Sequence, residues 1–157
     1  AWTLAMTLEE FRGRCPDFRY EILATDLSTR ALETAARGIY PEARLAPVPE
    51  RLRRAYFLRS RDRSRGLARI VPELRGRVSF RRLNFREPEA LAGPPVDMIF
   101  CRNVLIYFEK EFQRGLLLRF CERLPAGGHL FLGHTESVHG MNLPVVSLGH
   151  ATYRRAG

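Results

Sequence analysis

The segment DMIFCRNVLIYF, residues 97–108, decides the fold because its character changes at one point. Residues 96–101 form an apolar run that predicts a buried strand, and the polar residues Arg102 and Asn103 follow it directly. Tyr107 comes one turn further along the chain. Ligands of open α/β sheets bind beyond the carboxyl ends of the strands. We therefore expect these three side chains to lie at a binding edge.

The same arrangement occurs twice upstream. A predicted strand over 20–25 ends at Asp26, and a second over 78–83 is followed by Asn84 and Phe85. A carboxylate can accept hydrogen bonds from both ribose hydroxyls, an asparagine can bond the edge of adenine, and a phenyl ring can cover its face. Each residue taken alone is more often a loop cap or another structural polar group, but their position after successive strands favours a nucleoside site.

Helical patterns alternate with these strands. Ser28 is a candidate N-cap for a helix that ends before Gly38, and an apolar face recurs through residues 110–124. A further strand is predicted at 129–132, and an antiparallel hairpin at 145–148 and 151–154. This order of elements predicts an α/β fold with a mainly parallel sheet.

Residues 39–77 interrupt the alternation with several prolines. A short helix is predicted near 51–55, and the segments 56–59 and 67–71 predict a hairpin across a polar loop. We interpret 39–77 as an inserted β-subdomain within a single domain that spans residues 1–157.

The net charge is +9, and its distribution is uneven. Lys110 is the only lysine, and residues 51–86 hold thirteen arginines against the two acids Asp62 and Glu73. Arginine binds carboxylates and phosphates alike, so an acidic protein face and a nucleic acid both remain open, as does a solvated surface. Residues 59–77 lack the interleaved aromatic side chains that stack on bases, which favours the protein partner.

The cysteines and the hydropathy exclude other classes. Cys15, Cys101 and Cys121 are odd in number and widely spaced, which favours a reducing cytoplasm over a disulfide framework. Cys101 is expected to be a core residue, and the four histidines have no metal-ligand spacing. No apolar run reaches the roughly 18 residues of a membrane helix, and no secretory signal is recognised.

Four segments carry a resemblance to a known family. The stretches 22–28, 35–40 and 97–108 resemble the chemotaxis receptor methyltransferases of the CheR type, and residues 133–137 resemble that family's Gly-His-Ser-Glu segment. The resemblance implies a class I S-adenosylmethionine-dependent methyltransferase fold, which is Rossmann-like. It also implies methyl transfer from S-adenosylmethionine to glutamate side chains of bacterial chemoreceptors, with S-adenosylhomocysteine as the second product.

The resemblance assigns roles to the residues that follow the strands. Asp26 corresponds to the acid that binds the cofactor ribose, Asn84 and Phe85 to residues that line the adenine, and Arg102 and Asn103 to the pair that borders the cofactor. Tyr107 corresponds to the catalytic tyrosine near the transferred methyl group. The arginine-rich segment 51–86 is expected to dock the cytoplasmic part of chemoreceptors, without nucleic acid or membrane insertion.

The family pattern also includes parts that precede this sequence. A small helical domain, a first strand and a glycine-containing loop come before the helix that aligns with residues 1–6. Without that strand, the strands ending at Asp26 and Arg102 have no neighbour between them, and each unsatisfied buried backbone group costs about 1–3 kcal/mol. We therefore expect the chain alone to fold poorly or to rearrange, and to bind the cofactor weakly or not at all. The alternatives are a receptor-binding module with impaired catalysis and a nucleic-acid-binding methyltransferase relative.

Overall fold

The computed structural model describes residues 1–87 and 89–157, with the side chain of Arg63 excepted. The chain forms two compact units, Ala1–Asn84 and Phe85–Gly157. The first unit contains α1 (Trp2–Arg14), β1 (Ile22–Asp26), α2 (Thr29–Arg37), β2 (Ile39–Pro41), α3 (Glu50–Tyr56), β3 (Phe57–Arg59), β4 (Leu67–Ile70), α4 (Pro72–Arg75) and β5 (Val78–Arg82). The second contains β6 (Met98–Cys101), α5 (Lys110–Arg123), β7 (His129–Leu132), β8 (Val145–Gly149) and β9 (Thr152–Arg155).

A parallel pair of strands organises the first unit. β1 pairs with β5 so that Asp26 lies opposite Arg82. As predicted, Ser28 caps α2: its hydroxyl oxygen accepts the backbone N–H of Ala31, and α2 ends at Gly38 with a φ of 61°. A non-glycine residue would be strained there. The core of this unit is formed by Trp2, Ala5, Met6, Tyr20, Ile22, Ile70, Leu74 and Val78.

A separate antiparallel sheet lies between Ile39 and Ile70, in the order β2-β4-β3. The pairing of β3 with β4 confirms the predicted hairpin. The sequence pattern does not predict β2, because Pro41 at its end argues against a strand. The sheet lies within residues 39–77, and the interpretation of that segment as an insertion stays a prediction.

The second unit is a four-stranded sheet in the order β6-β7-β9-β8. β6 and β7 are parallel, and the final hairpin of β8 and β9 is antiparallel, as the sequence pattern predicts. α5 covers one face of this sheet with the apolar side chains Leu116, Leu117 and Phe120, which are almost fully buried.

The parallel strands thus belong to two sheets, where the alternating pattern alone predicts one. Within residues 1–87 and 89–157, β1 pairs only with β5, and β6 pairs only with β7. Each of these two strands keeps one edge at which no described strand bonds. Leu23, Met98 and Phe100 on these strands are each about half exposed.

No helix in the described ranges combines the length and apolar character needed to cross a membrane.

Candidate cofactor site and the Tyr107 segment

Asp26 and Asn84 lie at the same edge of the first unit. The strands β1 and β5 are parallel, so their carboxyl ends meet there, and the backbone N–H of Leu83 donates to the carbonyl oxygen of Asp26 at 3.0 Å. The Asp26 side chain is exposed, and its Oδ1 accepts the backbone N–H of Ser28 at 2.8 Å. This bond fixes the carboxylate at the strand end while leaving it open to solvent.

Phe85 begins the second unit and packs toward its core. The ring is half-buried and meets Phe120 edge to face, with 5.6 Å between the ring centroids. Arg119 donates to the carbonyl oxygen of Phe85 at 3.2 Å. Phe85 therefore has a packing role in the structure, and its contact with adenine stays a prediction.

Arg102 and Asn103 follow β6 directly, and both side chains are exposed. Asn103 has a φ of 58°, in the left-handed region that asparagine tolerates better than most residues. Tyr107 ends a short 3-10 turn over Leu105–Tyr107 and is 78% exposed. The structure brings these three predicted site residues together on one segment of the second unit.

The buried carboxylate of Glu136 holds the start of this segment. It accepts four backbone N–H groups: Asn103 and Val104 at 2.9 Å, Leu105 at 2.7 Å and Gly133 at 2.6 Å. Desolvation by burial raises the pKa of Glu136, but these hydrogen bonds outweigh it and leave the pKa below its ordinary value. Glu136 is therefore the structural anchor of the turn that follows β6.

Gln113 holds the other end of the segment. This buried side chain comes from α5, and its Nε2 donates to the carbonyl oxygens of Leu105 at 2.9 Å and Phe108 at 2.8 Å. The sequence pattern alone assigns no role to Gln113 or Glu136. One feature of the sequence that could point to Gln113 is its place on a buried helix face, three residues before Leu116. The feature that could point to Glu136 is its place within the segment 133–137, which carries part of the family resemblance.

Cys101 lies in the core, as the sequence analysis expected. It is 5% exposed, and desolvation together with the charge of Glu136 raises the pKa of its thiol to about 12. A thiol in this state is not a nucleophile at neutral pH. Among the described residues, no group of three or more His, Cys, Asp and Glu side chains could hold a metal ion.

A cleft of about 440 Å³ lies beside the three-stranded sheet. The arginines Arg53, Arg54 and Arg59 line it. Phe57 and other apolar side chains complete the lining. Glu50 pairs with Arg53 at 2.5 Å and with Arg54 at 2.8 Å. The cleft thus offers cations beside an apolar wall, with part of their charge balanced by the chain's own glutamates.

The strand-end residues fit a nucleoside-containing cofactor. Asp26 offers an exposed carboxylate that a backbone N–H already orients, and Asn84 supplies an amide at the same edge. Arg102 and Asn103 occupy the corresponding position after β6 in the second unit. The parallel pairs β1–β5 and β6–β7 thus carry polar residues after their carboxyl ends, the position at which open α/β sheets bind ligands.

The comparison with known families makes the assignment specific. Residues 1–153 match the family described as CheR methyltransferase, SAM binding domain. The chain belongs to the CheR methyltransferase family, and the resemblance noted in the sequence is confirmed.

Curated relatives agree with this membership. The chain is 40% identical to chemotaxis protein methyltransferase 2 of Pseudomonas aeruginosa, over 99% of this chain and 55% of the relative. It is 37% identical to the chemotaxis protein methyltransferase of Escherichia coli, over 97% of this chain and 53% of the relative. The chain thus spans about half the length of these relatives.

A solved O-methyltransferase family protein from Burkholderia thailandensis is similar at 19% identity and a TM-score of 0.40, over 54% of this chain and 38% of that one. A score this low carries no weight in the assignment.

Proposed function

We propose that this chain is the cofactor-binding and catalytic part of a protein-glutamate O-methyltransferase that modifies bacterial chemoreceptors in the cytoplasm. The observation that carries the proposal is the match to the SAM-binding domain of the CheR methyltransferases over residues 1–153. The names of the relatives support a role in chemotaxis.

Five residues would hold S-adenosylmethionine. Asp26 would bind the ribose hydroxyls, and Asn84 and Phe85 would line the adenine, while Arg102 and Asn103 would border the cofactor after β6. When bound, the cofactor supplies an electrophilic sulfonium methyl group, and S-adenosylhomocysteine is what remains after transfer.

The reaction needs positioning more than acid–base catalysis. The reference pKa of a glutamate is about 4.3, so the receptor side chain is already ionised at neutral pH and needs no strong base. The protein must align the carboxylate oxygen with the methyl group and exclude water. The exposed phenol of Tyr107 suits a catalytic role that touches and orients the reacting carboxylate.

The arginine-rich segment 51–86 is proposed to dock the receptor. The cleft with Arg53, Arg54 and Arg59 supports a partner that presents carboxylates and apolar side chains together. A ligand carboxylate would compete with Glu50 for Arg53 and Arg54, so docking should be reversible and weakened by salt.

The test is methyl transfer from tritiated S-adenosylmethionine to the cytoplasmic fragment of a chemoreceptor. Glutamate methyl esters release methanol in alkali, so base-labile label on the receptor supports the proposal. A receptor fragment whose acceptor glutamates are replaced by alanine is the matched control. Label that persists in this control, or that resists alkali, would refute the proposed substrate.

Two alternatives predict different outcomes. A receptor-binding module with impaired catalysis would bind the fragment without labelling it. A nucleic-acid-binding relative would bind RNA more tightly than the receptor, with affinity that falls steeply as salt rises.

A further inference from the structure

Two buried polar side chains form hydrogen bonds to the backbone of one and the same segment. Among the side chains that the structure describes, Gln113 and Glu136 are the two amide or charged groups that are buried, at 9% and 6% exposure. Both bond to the backbone of the residues between Asn103 and Phe108. Burying a polar group is costly unless it is fully hydrogen-bonded. The bonding of both buried side chains to the same backbone segment therefore requires an explanation.

Glu136 fixes the first half of the segment. Its two carboxylate oxygens accept consecutive N–H groups from Asn103, Val104 and Leu105, and Gly133 supplies a fourth. These donors would otherwise be unpaired at the point where the chain leaves β6 with a left-handed Asn103. The carboxylate therefore sets the direction in which the segment departs from the sheet.

Gln113 fixes the second half of the segment. It donates to the carbonyl oxygens of Leu105 and Phe108, which flank the turn. Within the turn, the backbone N–H of Tyr107 donates to Val104 at 3.3 Å and that of Phe108 to Leu105 at 3.0 Å. Leu105 is thus held at its N–H by one buried side chain and at its carbonyl oxygen by the other.

Leu105 anchors this turn in the core at 1% exposure, but the two side chains that follow it are exposed. Ile106 is 53% exposed and Tyr107 is 78% exposed, so packing does not hold the phenol. Its position depends on the backbone beneath it. Glu136 and Gln113 together form a clamp on this backbone, and replacing either by an apolar side chain would leave its backbone partners unpaired, at about 1–3 kcal/mol for each buried group.

We propose that Glu136 and Gln113 are positioning residues that hold the Asn103–Phe108 backbone, one at its N–H groups and the other at its carbonyl oxygens, and so place Tyr107 for methyl transfer before substrate binds. The inference rests on the proposed function for the role of Tyr107, but the clamp itself can be tested without it. Displacement of a reacting group by about 1 Å can cost about 100-fold in rate.

The test uses the full chain and three substitutions. Glu136→Gln keeps the shape but replaces one acceptor oxygen with a donor, and Gln113→Met keeps the length but removes both donor bonds. Glu122→Gln, at an exposed position on α5, removes a charge outside the clamp and is the control. Amide hydrogen exchange is measured by NMR, with Leu130 in β7 as the internal reference.

We expect exchange at least about 10-fold faster at Asn103, Val104 and Leu105 in Glu136→Gln, and at Tyr107 and Phe108 in Gln113→Met, with Leu130 unchanged. In the methyl-transfer assay, Gln113→Met should lower kcat by about 100-fold and leave the KM for S-adenosylmethionine unchanged. The control should match the wild type in both measurements.

Two results would overturn the inference. One is exchange at these amides that neither substitution changes, and the other is local loosening without any loss of kcat. If the wild-type chain transfers no methyl group, the proposed function fails for this chain. The clamp is then decided by exchange alone, because its effect on those five amides does not depend on cofactor or receptor.

Discussion

Gly133 and Asn103 approach each other so closely that no side chain fits between them. A Cβ on Gly133 would lie 2.4 Å from Oδ1 of Asn103 and 2.7 Å from Oε2 of Glu136. Because four hydrogen bonds hold Glu136 in place, it cannot move away without releasing its donors. We expect Gly133→Ala to lower the free energy of unfolding by about 1–3 kcal/mol, measured by urea denaturation.

Gly115 provides the matched control for that substitution. It lies in the middle of α5, and a Cβ there would meet nothing within 4 Å. Gly115→Ala should therefore raise the free energy of unfolding by about 0.5–1 kcal/mol, because alanine loses less backbone entropy in a helix. Equal effects of the two substitutions would contradict the close packing at Gly133.

The lowered pKa of Glu136 predicts a loss of stability in acid. As pH falls below the ordinary value of 4.5, the unfolded chain takes up a proton at this carboxyl before the folded chain does. The stabilisation from Glu136 is complete above that pH and is lost as pH falls through the lower folded-state pKa. Cys101 is a titratable neighbour of Glu136, whose charge helps to raise the pKa of the thiol. The thiol therefore stays protonated throughout this pH range.

Urea unfolding of the wild type and of Glu136→Gln between neutral and acid pH checks this prediction. The difference in unfolding free energy between them should shrink as pH falls, and Glu122→Gln should keep the acid sensitivity of the wild type. A difference that stays constant with pH would show that the Glu136 carboxyl titrates alike in both states.

The three thiols should differ in reactivity. Cys15 is exposed, whereas Cys101 and Cys121 are buried, and burial raises the pKa of both buried thiols. A chromogenic disulfide reagent should modify one thiol per native chain quickly and all three in denaturant. Cys15→Ser should remove the fast phase, and a fast phase that survives this substitution would contradict the burial of the other two.

The hydroxyl of Tyr56 in α3 donates to Oε1 of Glu10 in α1 at 2.8 Å. Desolvation and this hydrogen bond raise the pKa of Tyr56 to about 12. Tyr56→Phe removes the bond that joins the two helices and should lower the midpoint of thermal unfolding modestly. Tyr107→Phe, at an exposed position, should leave the midpoint unchanged, and the reverse order of effects would contradict the structure.

Much of the fold follows from local patterns. The caps of α2 at Ser28 and Gly38, the helix α5 and the strand β7 are predictable because turn chemistry and apolar periodicity agree there. The strand β2 is not, because it has three residues, ends in Pro41 and forms through pairing with β4. Non-local pairing of that kind leaves no local signal.

The candidate site residues also divide into those that the local sequence singles out and those that it does not. Position after a strand is enough to single out Asp26 and Arg102. The sequence does not reveal that Glu136 accepts N–H groups from residues more than thirty positions away, because the contact exists only once β6 and β7 are adjacent. Apolar periodicity does not single out Gln113 either, because its side chain is polar.

The central claim is that the end of β1 binds the nucleoside of S-adenosylmethionine. Saturation-transfer difference NMR with S-adenosylhomocysteine tests this claim most directly, because the method detects weak binding. The chain should give signals from the ribose and adenine protons. Asp26→Ala should abolish them, and Asp17→Ala, at an exposed position in the same unit, should leave them intact. Signals of equal strength from the wild type and from Asp26→Ala would contradict the assignment of Asp26.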